Sequence, residues 1–308
     1  MTLQQLEYII ALAQYGHFSE AAFAMDVTQP TLSATIAKLE NELDVVIFDR
    51  TKHPIVPTAI GSKIIDQAKV TLMEMKRIPE VAHNEKGSVK GEVRIGVIPT
   101  IAPYIVPNFF TIAKEHFPEL KVTIHEMPTV QLVPAIKRGD LDISILATRE
   151  TAEELLEIPV YKESLIVYAS KGHRYLDEDE ISPEMLRGDD LWVLKSEHCL
   201  STQILSICNL KKDFAACYSA GNIYTLISIV DAQGGYTIIP EFHYNMLTDV
   251  QKTQIRRFVR PEPVRTVSLY IRNDYFKEGV LNAVAKCICD QVPKENIKER
   301  IMREPIRI

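Results

Sequence analysis

Cys199 and Cys208 bracket one short apolar run, HCLSTQILSIC, and are two of the five cysteines in the 308-residue chain. A thiol reacts with oxidants as its thiolate, so a reactive cysteine needs a nearby cation or a helix N-terminus to lower its pKa. Cys199 follows His198 and opens a segment that reads as a helix. Oxidation of such a thiolate gives a sulfenic acid, with which a second thiol can condense. Threonine hydroxyls, as at Thr100 and Thr129, can both donate to and accept from a peroxide, which apolar walls cannot do. Small buried hydrophobes are the commonest role of free cysteines, and the residues alone leave both readings open for this pair. For Cys217, Cys287 and Cys289 the buried role prevails. Cys287 and Cys289 are two apart on a helix, so they face different ways and make a poor metal pair. No metal or cofactor is expected.

The elements that must carry these groups begin near Glu92. Val93, Ile95 and Val97 alternate as a strand, 102–116 reads as a helix and 121–126 as a second strand. A helix over 129–138 and a strand over 141–147 complete the set. A second set follows: strands at 165–169, 191–194 and 236–239, with a helix from about 222 to 232. A late strand at 267–271 returns to the first sheet and precedes a helix over 277–291. Strands alternating with helices imply parallel sheets and an α/β class, here as two subdomains joined by two crossovers. Ligands of open α/β sheets bind outside the carboxyl ends of the strands. Those ends hold Pro99-Thr100, Thr129 and Ser196–Cys199. Both threonines also stand at helix starts, where capping is the alternative role.

The first 58 residues are organised differently. A first helix can bury Leu3, Leu6, Ile10 and Ala13, and Ser19 can cap a short second helix carrying Ala21, Ala22 and Met25. After a break at Asp26-Val27, Thr28 can cap a helix that starts at Gln29-Pro30. Its Leu32, Ile36, Leu39 and Leu43 form a buried stripe, and Pro30, Ala34, Ala37 and Asn41 face the other way. Nothing bulky would hold that face off base edges in a major groove. Gln29, Pro30, Thr31 and Ser33, with Ser19, Thr28 and Lys38, are the candidate DNA contacts of this helix-turn-helix. A two-stranded wing over 45–56 adds Arg50 and Lys52 as phosphate contacts. Residues 1–58 hold three cations against seven acids, 3 − 7 = −4, so phosphate attraction must come from local placement, helix N-termini and dimerisation. From Thr58 a long helix runs to about Lys86, with Ile64, Ala68, Leu72, Met75 and Ile78 in a stripe that needs a partner, most simply its own copy. Gly87-Ser88 reads as the hinge.

The net charge of −6 gives no general preference for nucleic acid or membrane. No apolar run nears the ~20 residues of a spanning helix, and Met1–Gln4 is no secretory leader. An odd, irregularly spaced cysteine set points to a reducing compartment, the cytoplasm.

The same residues carry a family resemblance. A helix-turn-helix with Ala21-Ala22, then TQPTLS at 28–33, KLENEL at 38–43 and FDRT at 48–51, resembles the LysR-type transcriptional regulators in length and layout throughout. That resemblance implies a winged helix-turn-helix over 1–58, a dimerisation helix and hinge over 59–88, and a periplasmic-binding-protein-like effector domain over 89–308. Its subdomain I would span about 89–162 and 267–308, and subdomain II about 163–266. GVIPT at 96–100 and HCLSTQILSIC at 198–208 are similar to the OxyR branch, the hydrogen-peroxide sensors of the family. Carried over, Cys199 matches the peroxide-reactive cysteine and Cys208 its disulfide partner. Thr100, Thr129, His198 and Arg265 match residues of the peroxide site. Ser201-Thr202 departs from the Arg-Asp of well-known members. The implied partners are promoter DNA, hydrogen peroxide as effector, a second copy in a homodimer that pairs to a homotetramer, and RNA polymerase. The implied role is transcriptional activation, not catalysis. The rival within the family is a small-molecule effector with inert cysteines, and outside it a thiol peroxidase.

Overall fold

Thr28 starts the third helix as its residue types dictate: its hydroxyl accepts from Thr31 N at 3.4 Å, and Pro30 sits in the first turn, where a missing N–H costs nothing. The computed structural model describes residues 1–84, 89–148, 153–208, 216–218 and 222–308, so the expected hinge at Gly87-Ser88 lies outside the described residues. The chain divides into two units, Met1–Lys86 and Gly87–Ile308.

In the first unit, α1 (Leu3–Tyr15), α2 (Phe18–Ala24) and α3 (Gln29–Leu43) are followed by the antiparallel pair β1 (Phe48–Asp49) and β2 (Val56–Pro57), then by α4 (Ala59–Asn84). Asp26, at φ 54°, makes the break between α2 and α3. The core gathers Leu6, Ile9 and Leu12 of α1 with Leu32, Ile36 and Leu39 of α3. Three expectations need correction. The buried face of α1 is Leu6, Ile9 and Leu12, while Leu3 is exposed. The N-cap of α2 is His17, which leaves Ser19 inside the helix at its second position. Leu43 is exposed because α3 ends at Asp44, whose left-handed backbone lets the last residue outrun the core.

The α4 stripe also differs. Thr58 caps this helix by accepting from Gly61 N at 2.9 Å. Ile65 and Ala68 are buried in the core of the same unit, with Ile64 and Leu72 packed against it. Its first half thus has a local partner. Further along the stripe Met75 and Ile78 are exposed, Ile78 at 71%.

In the second unit, β3 (Gly91–Val97), α5 (Ala102–His116), β4 (Leu120–Glu126), α6 (Thr129–Lys137) and β5 (Ile143–Leu146) form a parallel βαβαβ array in which β3 lies between β4 and β5. Next comes β6 (Leu155–Ala169), a 15-residue strand, with β7 (Glu180–Ile181) and β8 (Trp192–Leu194) after it. Then follow α7 (Cys199–Ile207), β9 (Ala216–Tyr218), α8 (Ile223–Gln233), β10 (Tyr236–Pro240), a 3₁₀ turn (Glu241–Met246), α9 (Asp249–Lys252) and β11 (Ile255–Phe258). The chain closes with β12 (Val264–Arg272), α10 (Glu278–Cys289) and α11 (Glu299–Arg303).

The strand expected at 165–169 is only the second half of β6. The first half pairs with β12 and the second with β10 and β11, so one strand serves both subdomains. Pro159 and the charges of Lys162 and Glu163 hide its first half from pattern reading. Pro159 is tolerated because the β6–β12 register shifts beside it, between Val267 and Ser268. The charged tail is ordered by Ile306, which is buried and whose N donates to Asn282 Oδ1 at 2.7 Å.

Candidate functional site

Thr100 and Thr129 follow the carboxyl ends of adjacent parallel strands, β3 and β4. Neither caps a helix: the cap positions are Ile101 for α5 and Pro128 for α6. Thr100 is 1% exposed and Thr129 8%, and the Thr129 hydroxyl has no hydrogen-bond partner among the described residues. A buried hydroxyl without a partner costs free energy unless something else fills its capacity.

Arg265 comes to the same edge from β12. Its Nη1 donates to Thr100 Oγ1 at 3.0 Å and its Nη2 to the Thr100 carbonyl at 3.0 Å. Its Nε donates to Glu163 Oε1 at 2.6 Å. Tyr104 OH donates to that same oxygen at 2.8 Å, and His243 Nε2 donates to the Thr100 carbonyl at 3.3 Å. Burial works against the Arg265 charge, but Glu163, Tyr104 and Cys199 hold its pKa above the ordinary value. Burial depresses His243 to about 4, so its ring is neutral at pH 7. Glu163, Tyr104 and His243 were not foreseen. A charge inside an otherwise apolar strand was the one available signal for Glu163.

Cys199 is the first residue of α7, with its backbone N–H among those left unpaired at a helix start. It is half-buried and packs against the core of the first subdomain. Gln203, one turn on, donates from Nε2 to the carbonyl of Ala147 just past β5, so α7 is tied across the cleft. The Gln203 Oε1 is buried and has no hydrogen-bond partner among the described residues. His198 is buried, and burial lowers its pKa against the pull of Glu197. Ser201 is buried and donates to the Lys195 carbonyl at 3.0 Å, which ties α7 to the loop before it.

Cys208 ends α7 in the core of the second subdomain, where burial pushes its thiol up to about 11 against a smaller pull from Tyr236. The described cysteines, Cys199, Cys208, Cys287 and Cys289, are free thiols. Burial raises both Cys287 and Cys289 to about 11. The side chain of Cys217 lies outside the described residues. A separate cavity of about 1100 Å³ opens between α5 and the turn after β10, with Tyr104, Phe242 and Ile166 in its wall and Arg257 and Glu241 among its charges.

In the first unit, Gln29, Pro30, Thr31 and Lys38 are exposed along α3, and Ser33 is half-buried. Thr28 and Thr31 bond each other through their hydroxyls at 2.8 Å. Ser19 is exposed on α2. Arg50 is tied back: Nη2 donates to Glu40 Oε2 at 2.7 Å and the guanidinium lies over the Phe18 ring. Lys52 is the freer wing cation, 3.9 Å from Asp49. No helix among the described residues is long and apolar enough to cross a membrane.

Comparison with known proteins agrees with this architecture. Residues 3–62 match the family described as bacterial regulatory helix-turn-helix protein, lysR family, and residues 86–292 match the LysR substrate binding domain. The chain is 33% identical over 297 residues to the hydrogen peroxide-inducible genes activator of Haemophilus influenzae, covering 95% of this chain and 97% of that protein. It is 33% identical over 273 residues to the DNA-binding transcriptional dual regulator OxyR of Escherichia coli, covering 88% and 90%. Among solved structures, a cysteine-to-aspartate variant of full-length Pseudomonas aeruginosa OxyR superposes with a TM-score of 0.79 at 29% identity, covering 94% of this chain and 97% of that one. A hydrogen-peroxide-bound cysteine-to-serine variant of Corynebacterium glutamicum OxyR gives a TM-score of 0.64 at 27% identity, covering 94% and 92%. The chain belongs to the LysR family of bacterial helix-turn-helix transcriptional regulators, on its OxyR branch.

Proposed function

We propose that this regulator binds promoter DNA as a dimer, pairs to a tetramer, and senses hydrogen peroxide by oxidation of Cys199 followed by a disulfide with Cys208. The observation that carries this reading is the position of Cys199. It stands at the start of α7, packed against the core of the first subdomain, in a cleft where the Thr129 hydroxyl and Gln203 carbonyl lack partners among the described residues. A small molecule able to donate and accept would satisfy both, and peroxide is one. In the step itself the Cys199 thiolate attacks one peroxide oxygen. The S–O bond forms as O–O breaks, and the departing hydroxide takes up a proton to become water. Attack by Cys208 sulfur then forms S–S with loss of a second water. Cys208, raised to about 11 by burial, stays protonated where it is and does not compete for peroxide.

Two outcomes test the parts of this reading. Thr100→Val removes a hydroxyl that accepts from Arg265 while keeping its shape, and should slow Cys199 oxidation by about tenfold without blocking it. An unchanged rate in stopped-flow oxidation returns Thr100 to a structural role. In the DNA-binding unit, Ser33→Arg places a long cation on the small-residue face of α3 and should abolish the sequence-specific footprint at an interrupted palindrome. Equal, sequence-independent protection by both proteins overturns the assignment of Gln29, Pro30, Thr31 and Ser33 to base contacts. Docking to RNA polymerase, and with it activation in the cytoplasm, belongs to the same proposal.

The second reading is a small-molecule effector in the inter-subdomain cleft with inert cysteines, favoured by the buried Thr129 hydroxyl and Gln203 carbonyl that lack partners among the described residues. A bound metabolite in native mass spectrometry, together with DNA binding indifferent to peroxide, selects it.

A further inference from the structure

α7 has no side-chain cap at His198, so its start is fastened another way. Ser201, the third residue of the helix, is buried, and its hydroxyl reaches back to the residues before it. There it donates to the Leu194 carbonyl at the end of β8 and, at 3.0 Å, to the Lys195 carbonyl. The His198 N–H donates to that second carbonyl as well, also at 3.0 Å, which folds 195–198 into a turn. β8 is itself held in the second subdomain: it pairs with β9, and the Thr237 hydroxyl of β10 donates to the Trp192 carbonyl at 2.7 Å. Ser201 therefore ties the first turn of α7 to a strand that is fixed from two sides.

The tie lies where the two thiols of the helix differ. Cys199 is half-buried against the first core, whereas Cys208 is buried in the second. Their sulfurs meet only if one of them leaves its place, and the less buried group leaves at the lower cost. That group is Cys199, which shares the first turn with Ser201. Leu200 and Ile204 hold the helix by packing, which has no direction. The Ser201 bond is directional and is lost when the turn opens. Opening also takes that donor from the carbonyl of buried Leu194, which adds to the cost.

We propose that Ser201 is a positioning residue whose hydroxyl holds the first turn of α7 to the end of β8, and so sets how fast the Cys199–Cys208 disulfide closes once Cys199 is oxidised. This rests on Cys199 and Cys208 being the sensing pair. The chemistry is the one already written, with S–O formed and O–O broken at Cys199, then S–S formed as the second water leaves. Ser201 takes part in neither bond and acts only on the opening of the helix between the two steps.

The test compares the full-length wild type with Ser201→Ala, which removes one oxygen and keeps the buried site filled. In the reduced protein, without peroxide, amides of 200–205 should exchange with deuterium about fivefold faster in the variant, the lost bond being partly offset by the better helix propensity of alanine. Exchange in β3, β4 and β5 should stay as in the wild type, which separates a local release from a general loss of stability. After a pulse of hydrogen peroxide, trapping with dimedone counts the sulfenic acid, and peptide mass spectrometry without reductant counts the cross-link. Sulfenic acid should form at the wild-type rate, and its conversion to the disulfide should be about fivefold faster, following the opening of α7. Unchanged exchange across 200–205 overturns the proposal, and so does faster exchange with closure at the wild-type rate. If exchange quickens but peroxide yields no Cys199–Cys208 cross-link in either protein, Ser201 keeps its hold on α7 and the sensing assignment fails, so the two failures are distinguishable.

Discussion

Cys199→Ser should abolish the peroxide response outright while leaving DNA binding of the reduced protein intact. Serine nearly matches cysteine in size and the helix is not capped through the Cys199 side chain, so α7 should start as before. Its hydroxyl, however, gives no nucleophile comparable to a thiolate. Footprints of wild type and variant at rising peroxide check this. The wild type should change its protected length and the variant should keep the reduced pattern at every concentration. A full response in the variant would place the sensor elsewhere.

The second large effect concerns α7 itself. Cys199 and Cys208 lie at opposite ends of one continuous helix, nine residues or roughly 13 Å apart along its axis. A disulfide needs Cα atoms within about 7 Å, so the bond cannot form until α7 unwinds. Unwinding takes Leu200 and Ile204, both buried, out of the second core, at about 1.5–3 kcal/mol each. It also breaks the tie from Gln203 to Ala147. Amides of residues 201–208 should therefore exchange with deuterium slowly in the reduced protein and at least on the order of a hundredfold faster once oxidised. In Cys208→Ser, peroxide should leave that protection largely in place, because the sulfenic acid at Cys199 has no partner to pull the helix apart. Equal exchange in reduced and disulfide-bonded wild type would show that the bond forms without a switch. We infer that the surface rebuilt around α7 bears on the contact between effector domains, so oxidation resets the spacing of the paired DNA-binding units.

Much of this was legible because local chemistry and global fold agree. Thr28, Gln29 and Pro30 specify the start of α3 by capping alone, and β3, β4 and β5 alternate clearly enough to fix the edge where Thr100 and Thr129 stand. The cysteine pair drew notice by residue type. Other features depend on tertiary structure and left no local mark. Register between β6 and β12 brings Glu163 to Arg265 across 102 residues of sequence, and no periodicity reports that. Burial, which sequence spacing does not report, lowers the pKa of His198 and raises that of the Cys208 thiol. The exposed end of the α3 stripe and the buried start of the α4 stripe were misjudged for one reason. Apolar spacing says which face of a helix is buried, not where along its length the core stops.

Peptide-level mass spectrometry of the full chain, alkylated before and after a brief pulse of hydrogen peroxide, tests the central claim most directly. The account predicts that Cys199 and Cys208 lose alkylation in parallel and reappear as one cross-linked peptide. Cys217, Cys287 and Cys289 should remain fully alkylated once the protein is unfolded. Oxidation spread evenly over all five cysteines, or a disulfide that omits Cys199, contradicts it.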